Sequence, residues 1–365
     1  MKIGIDISQI VYKGTGVTRF TEGLTKAILT IDHTNEWVFF FSSFRRSLNN
    51  DIALSIKKKN FTLIKYPFPP TLLSLLWNDL HIINIERLVG HLDFFITSDW
   101  AEPPSKLNKV TVVHDLVYLR YPDTVDKQIL KVQKKRLSWV KKESAIIFAD
   151  SETTRKDLIN LLSIENTRIK TIYPGVEVNK PQRSHIQKIL KKFNLTSPFI
   201  LTVSKIEPRK NINRLIQAFS KLHKKSALEL VVVGEFGWGE AVPKARGVHY
   251  IGFVTDEELT SLYSSCLFFV YPSIWEGFGY PIIEAMAYGA PVTTSNISSL
   301  GEIGRDAALL FDPQKTDAIT DALNRMTTDE NLRNTLRKKG LERSRMFTWE
   351  KYYNNMIEAI REKRG

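Results

Sequence analysis

Short apolar runs alternate along this chain with longer segments whose apolar residues recur every three to four positions. The runs Lys2–Ile7, Trp37–Ser42, Phe61–Tyr66, Asp93–Thr97, Val110–His114 and Ala145–Ala149 read as strands. Val17–Thr30 and Lys127–Glu143 carry the helical period between them. Strands that alternate with helices imply parallel pairing with crossover connections, hence a doubly wound α/β sheet. Pro174 and Gly175 break the periodicity, and a polar, basic stretch follows. The pattern then restarts. Strands are predicted at Phe199–Val203, Glu229–Val233, His249–Gly252, Leu267–Tyr271 and Pro291–Thr294. Helices are predicted at Asn211–Lys224, Asp256–Ser265 and Tyr280–Tyr288. Two domains are therefore expected, residues 1–175 and 176–347, with a terminal helix at about 348–365 packing back on the first. Two such units in series predict a cleft between the carboxyl ends of two sheets, the usual place for a ligand in this architecture.

The length of 365 residues fits two cores better than one. Net charge is +13, so an anionic partner is expected: a phosphorylated substrate, an anionic membrane surface or nucleic acid. The single cysteine, Cys266, lies in an apolar run and reads as a buried thiol, which points weakly to the cytoplasm. No signal peptide is evident, and no stretch approaches the roughly 18 apolar residues of a spanning helix. Any membrane contact is therefore expected to be peripheral.

The segment 272–284, PSIWEGFGYPIIE, holds the strongest chemistry. It follows a wholly apolar strand, as a buried parallel strand would be. Gly277 and Gly279 allow a ligand to approach the backbone closely. Pro281 sits at a helix start, where exposed N–H groups bind hydroxyls or anions. Glu276 in the loop and Glu284 one turn into the helix each offer two acceptor oxygens, suited to vicinal sugar hydroxyls. The plainer reading is a surface loop with two ordinary glutamates.

Through 289–292 this segment resembles the EX7E signature of retaining glycosyltransferases, family 4. The resemblance covers essentially the whole chain and is strongest from 199 to 292. It implies the GT-B fold, two Rossmann-like domains over a cleft, with the nucleotide donor mainly in the C-terminal domain. It further implies that Glu284 bonds the ribose hydroxyls. Glu276 meets the donor sugar, helped by the amides of Gly277, Phe278 and Gly279.

Three further segments acquire meaning beside it. In SKIEPRKN, 204–211, Arg209 and Lys210 are adjacent cations at a strand end. An isolated pair of this kind is usually solvated. Their position resembles the family's Arg–Lys pair, which neutralises the departing diphosphate. Lys205 is a weaker candidate. His114, in VVHDL with Tyr121–Pro122 beyond, resembles a mannosyltransferase-rich subgroup in which the histidine contacts the donor sugar. Asp115 either orients that imidazole or caps the next helix. In YKGTGVTR, 12–19, the family's loop leans over the donor phosphates. Gly16 is the expected backbone contact there, and Arg19 is expected toward solvent. The two glycines alone are a weak signal, and the missing third glycine argues against a dehydrogenase. Gly234 and Glu235 after a strand, and Phe253–Val254, fall where relatives build the base pocket, and Val254 is the residue carried over. Ser151–Thr154 reads as a helix cap.

The remaining charge concentrates at 131–142, KVQKKRLSWVKK, six basic residues without an acid. Val132, Leu137 and Val140 form a candidate apolar face, with Trp139 nearby, and such a helix suits an anionic membrane as well as plain solvation. No nucleic-acid motif accompanies it. The seven histidines are scattered, no Asp-x-Asp occurs, and neither a metal nor a cofactor is expected. The resulting expectation is metal-independent, retaining hexosyl transfer, with GDP-mannose favoured as donor and a glycan or lipid-linked oligosaccharide as acceptor. Its place is the cytoplasm, at the inner face of the cell membrane. The alternatives are a UDP-sugar-dependent glucosyl- or N-acetylglucosaminyltransferase of the same fold, and a non-catalytic sugar-nucleotide-binding protein.

Overall fold

The computed structural model describes residues 1–12, 14–59, 61–196, 198–223, 228–239 and 243–364. The chain divides into two compact units, Met1–Gly175 together with the segment from Thr348 onward, and Val176–Phe347. Each is built on a parallel sheet.

In the first unit the strands are β1 (Lys2–Asp6), β2 (Glu36–Ser42), β3 (Thr62–Tyr66), β4 (Phe94–Ser98), β5 (Asn108–Val113), β6 (Ser144–Ala149) and β7 (Ile169–Thr171). They lie in the order β3-β2-β1-β4-β5-β6-β7, all parallel. The second unit adds β8 (Phe199–Val203), β9 (Glu229–Val233), β10 (Val248–Gly252), β11 (Phe268–Tyr271), β12 (Val292–Ser295) and β13 (Ala308–Phe311). Their order is β10-β9-β8-β11-β12-β13, again parallel. Both sheets are doubly wound. Their strand order reverses between β1 and β4 in the first unit, and between β8 and β11 in the second. At such a point neighbouring loops diverge and leave a crevice at the carboxyl ends of the strands.

The sheets sit where the apolar runs put them. β11, Phe-Phe-Val-Tyr, is buried at every position, and helices covering both faces require that. Helix Asp256–Ser265 opens on a full capping box: Thr255 accepts from the Glu258 amide, and the Glu258 side chain accepts from the Thr255 amide. Ser151 likewise accepts from the Thr154 amide to begin Glu152–Leu162. The last helix, Trp349–Arg364, packs against Gly16–Ile31, with the Trp349 ring lying where a Cβ on Gly23 would stand. Phe20, Trp349 and Tyr352 meet edge to face there, with ring centres 5.3–5.6 Å apart. Cys266 is buried, and burial pushes its thiol up to about 12.

Two strands were absent from the pattern read along the chain. β7 is a three-residue edge strand with one fully buried side chain, too short to show alternation. β13 is four residues of Ala, Leu and Phe, a run equally compatible with a helix. Elsewhere the predicted and observed ends differ by a residue or so. Residue 224 of the expected helix 211–224 lies outside the described residues.

The basic helix departs from expectation in a way that matters. Lys127–Glu143 forms as predicted, with Asp126 capping its start. Leu137 and Val140, however, are buried in the core of their own unit, and so is Arg136. The Arg136 guanidinium donates to the Val112 carbonyl at 3.0 Å and lies 3.7 Å from the buried Glu102 carboxylate. One of the six basic residues is thus an internal charge, and two of the three apolar residues of the expected face, Leu137 and Val140, are turned into the unit, with Val132 half-buried.

Candidate active site

The reversal of strand order in the second unit places the loop after β8 beside the loop after β11. These loops carry Arg209–Lys210 and Glu276. Their backbones are tied directly, with the Ile274 amide donating to the Arg209 carbonyl at 2.9 Å. Asn211 takes a left-handed conformation (φ 61°), and its side-chain amide donates to the carbonyls of Pro272 and Pro313. Asparagine tolerates that conformation, and its amide fixes the turn that aims the two preceding cations.

Glu276 is buried and saturated with donors. Oε1 accepts from Lys210 Nζ at 2.7 Å, Ser273 Oγ at 2.6 Å and the Tyr271 hydroxyl at 3.0 Å. Oε2 lies 2.7 Å from an Arg209 guanidinium nitrogen, which also donates to the Trp275 carbonyl. Burial acts to raise this carboxyl, but Arg209, Lys210 and Ser273 together outweigh it and hold it down at about 2. Lys210 sits on the other side of the balance. Burial and the neighbouring Arg209 lower its ammonium, against the pull of Glu276. Burial and Glu276 push the Tyr271 hydroxyl well above its usual range, so it stays a donor. Glu207 lies 3.9 Å from Arg209 and 3.5 Å from Lys205. Arg209, Lys210 and Lys205 thus gather around Glu276 and Glu207.

Gly279 has φ 98° and begins helix Tyr280–Ala287, where a Cβ would come 2.7 Å from Leu300. Only glycine fits both the backbone and the space. The amides of Gly277, Phe278 and Gly279 therefore lie at the N-terminal end of this helix. The Phe278 side chain turns inward, edge to face with Tyr280 and Phe347. Glu284 lies one turn into the helix, buried, with Oε2 accepting from the Tyr263 hydroxyl at 3.2 Å. Val254 is buried just past β10 and immediately before the Thr255 cap.

Gly234, which the sequence places beside the expected base pocket, follows β9 with φ 131°. A Cβ there would lie 2.0 Å from the Ser204 carbonyl oxygen, so this glycine lets the β8 and β9 loops close on each other. The glycine after an apolar strand was visible. The contact that requires it was not.

In the first unit, His114 ends β5 and Gly16 begins helix Gly16–Ile31, with Thr15 capping it. Gly16 is exposed, and Arg19 is half-buried rather than facing solvent. The partner of His114 is neither residue expected to orient it nor any in its own strand. His114 Nδ1 meets Asp150 Oδ2 at 2.7 Å, from the end of β6. Asp115 instead accepts from the Val117 amide at 3.1 Å, a local turn, which resolves the open choice against the imidazole. Phe20 packs edge to face against the imidazole at 4.7 Å, and Thr154 Oγ1 donates to the His114 carbonyl. Burial acts to lower the imidazole, but the Asp150 carboxylate outweighs it and holds His114 above its ordinary value. His114 Nε2 and Asp150 Oδ1 are buried without a hydrogen-bond partner. Unpaired buried polar atoms are costly and call for an explanation.

Among the described residues no three His, Cys, Asp or Glu side chains are grouped as a metal site would group them.

Two doubly wound parallel sheets and a buried carboxylate clamped by an Arg–Lys pair define a class, the GT-B glycosyltransferases. Residues 185–343 match the family model "Glycosyl transferases group 1". The chain is 32% identical over 272 residues to the O-antigen chain mannosyltransferase B of Escherichia coli, covering 71% of each protein. It is 30% identical over 291 residues to the serotype-specific mannosyltransferase WbdA of E. coli, covering 74% of this chain but only 35% of that longer protein. Its fold is similar to that of the sucrose-phosphate synthase of Thermosynechococcus elongatus, with a TM-score of 0.73 at 19% identity over 99% and 98% of the two chains. The chain belongs to the group 1 glycosyltransferase family, and it is a glycosyltransferase.

Proposed function

We propose that this enzyme transfers mannose from GDP-mannose, with retention at the anomeric carbon, to a glycan or lipid-linked glycan in surface-polysaccharide assembly. The donor-side unit is Val176–Phe347, and the acceptor-side unit is the first. The observation that carries the sugar is the likeness to chain mannosyltransferase B over most of both proteins. The saturated Glu276 cluster supports the chemistry. Arg209 and Lys210 hold the β-phosphate oxygens as the bond from the anomeric carbon to phosphate breaks. The Glu276 carboxylate, kept ionised down to about pH 2, accepts from sugar hydroxyls. Glu284 accepts from the ribose hydroxyls, and His114 Nε2 bonds the donor sugar. The acceptor hydroxyl oxygen forms the new bond on the face the phosphate leaves, and that phosphate takes the proton. No protein nucleophile and no metal enter the scheme.

Thermal-shift titration against GDP, UDP, ADP and dTDP tests the donor. GDP is expected to stabilise the enzyme most, and stabilisation by UDP but not GDP would overturn the choice. Incubation with labelled GDP-mannose and UDP-sugars reads the same question in product.

A further inference from the structure

The segment that packs on the basic helix has an unusual surface. Residues 70–83 run through a short helical turn, a wide π-helical turn at Ser74–Asp79, and a loop to Ile83. Within eight residues of it, Leu75, Leu80 and Ile82 are 48, 56 and 47% exposed. Scattered exposed apolar residues are ordinary, but three on one small tip are not. The tip is also held rigidly. Trp77 is buried and donates to the Ile83 carbonyl at 3.1 Å, and a His81 ring nitrogen meets the Trp77 carbonyl at 2.7 Å. His81 and Ile83 both take positive φ, 51° and 65°, which for a β-branched isoleucine is a genuine backbone outlier. The chain accepts strain here in a geometry that leaves large apolar side chains in water.

Cations flank that tip. The His81 ring stacks on Trp139 at 3.4 Å, Lys142 lies over the Trp139 ring at 4.6 Å, and Lys135 pairs with Asp79. Lys131, Lys134, Lys135, Lys141 and Lys142 follow one another at helical spacing on the solvent side of Lys127–Glu143. The acids on this face are engaged: Asp79 by Lys135, and Glu143 by Lys109 and His81.

We propose that Leu75, Leu80 and Ile82, rimmed by the lysines of helix 127–143, are a docking surface for an anionic lipid bilayer. The occupant follows from the combination. Apolar tips enter the acyl boundary while a stripe of ammonium groups stays at the level of anionic headgroups. A nucleic acid would use the lysines but leave the three aliphatic side chains unburied. The helix alone does not suffice, since Leu137 and Val140 of its apolar side are buried in the unit's core. The inference is independent of which sugar the enzyme transfers.

Co-sedimentation of the full chain with vesicles tests it. Binding is expected to mixed phosphatidylcholine–phosphatidylglycerol vesicles, weakly to pure phosphatidylcholine, and to fall as salt rises. The triple variant Leu75→Ser/Leu80→Ser/Ile82→Ser should lose about tenfold or more in vesicle affinity while keeping its salt dependence. Lys131→Glu/Lys134→Glu/Lys141→Glu should abolish the preference for the anionic lipid. All six side chains are exposed, so unchanged melting and unchanged turnover of a water-soluble acceptor are the expected controls. Wild-type binding to neither vesicle, or apolar and wild-type chains binding alike, would overturn the proposal. So would a concentration-dependent dimer that the apolar variant abolishes, because it would assign the surface to a second copy.

Discussion

The carboxyl ends of the two sheets carry charged clusters prepared in opposite ways. In the second unit, Glu276 is met by four side-chain donors, two of them cations, so its charge is fully compensated before any ligand arrives. In the first, His114 has one partner and keeps a buried nitrogen unpaired. The first arrangement is pre-organised, with four donors already fixed on one carboxylate. The second is poised, since an imidazole held by Asp150 at Nδ1 can direct only Nε2 outward. In the proposed reaction one cluster stabilises charge and the other fixes orientation.

That contrast can be broken at three places, in decreasing order of expected effect. Lys210→Ala removes a cation from the compensated cluster while Arg209, Tyr271 and Ser273 still hold Glu276. Turnover should fall by about a thousandfold with the melting transition retained, measured as kcat alongside a thermal melt. Near-normal turnover would remove Lys210 from leaving-group stabilisation. Asp150→Asn acts on the poised cluster, and a loss of about ten- to a hundredfold is expected, mainly in kcat. The carboxylate that holds the imidazole above its ordinary value is then gone. The limb of the pH–rate profile set by His114 should therefore move to lower pH, with Asp150→Glu restoring part of it. An unmoved limb would separate Asp150 from the function of His114.

The smallest effect is on stability. The Glu276 carboxyl is lower when folded, at about 2, than when unfolded, where it titrates near 4.5. The unfolded chain therefore binds the proton first. Its contribution is present above about pH 4.5 and is lost as pH falls toward 2. Glu276→Gln should flatten the acid limb of a stability–pH curve, and an unchanged limb would place the acid sensitivity elsewhere.

Much of this was legible along the chain, for identifiable reasons. β8, β9 and β11 are almost wholly apolar runs ended by Ser, Gly and Pro, and a strand buried on both faces can hardly look otherwise. Glu276, Gly279 and Glu284 could be picked out because strand, turn and helix start succeed one another within 17 residues, from Phe268 to Glu284. The short strands β7 and β13 escaped because three or four residues carry no usable period.

Local pattern thus determined the elements, the doubly wound class and the residues able to carry charge, because hydrophobic period and turn chemistry act over a few residues. Partnership was decided only by the tertiary structure. Asp150 reaches His114 across 36 residues of chain because β5 and β6 are neighbours in the sheet, whereas the adjacent Asp115 bonds its own turn. Lys210 and Glu276 meet across 66 residues because the strand order reverses between β8 and β11. Arg136 belongs to a basic run yet lies buried against Val112 and Glu102, and the apolar tips beside its helix come from residues 75–82. Which side of a helix faces water depends on what packs against it, and that is a property of the assembled unit rather than of the helix.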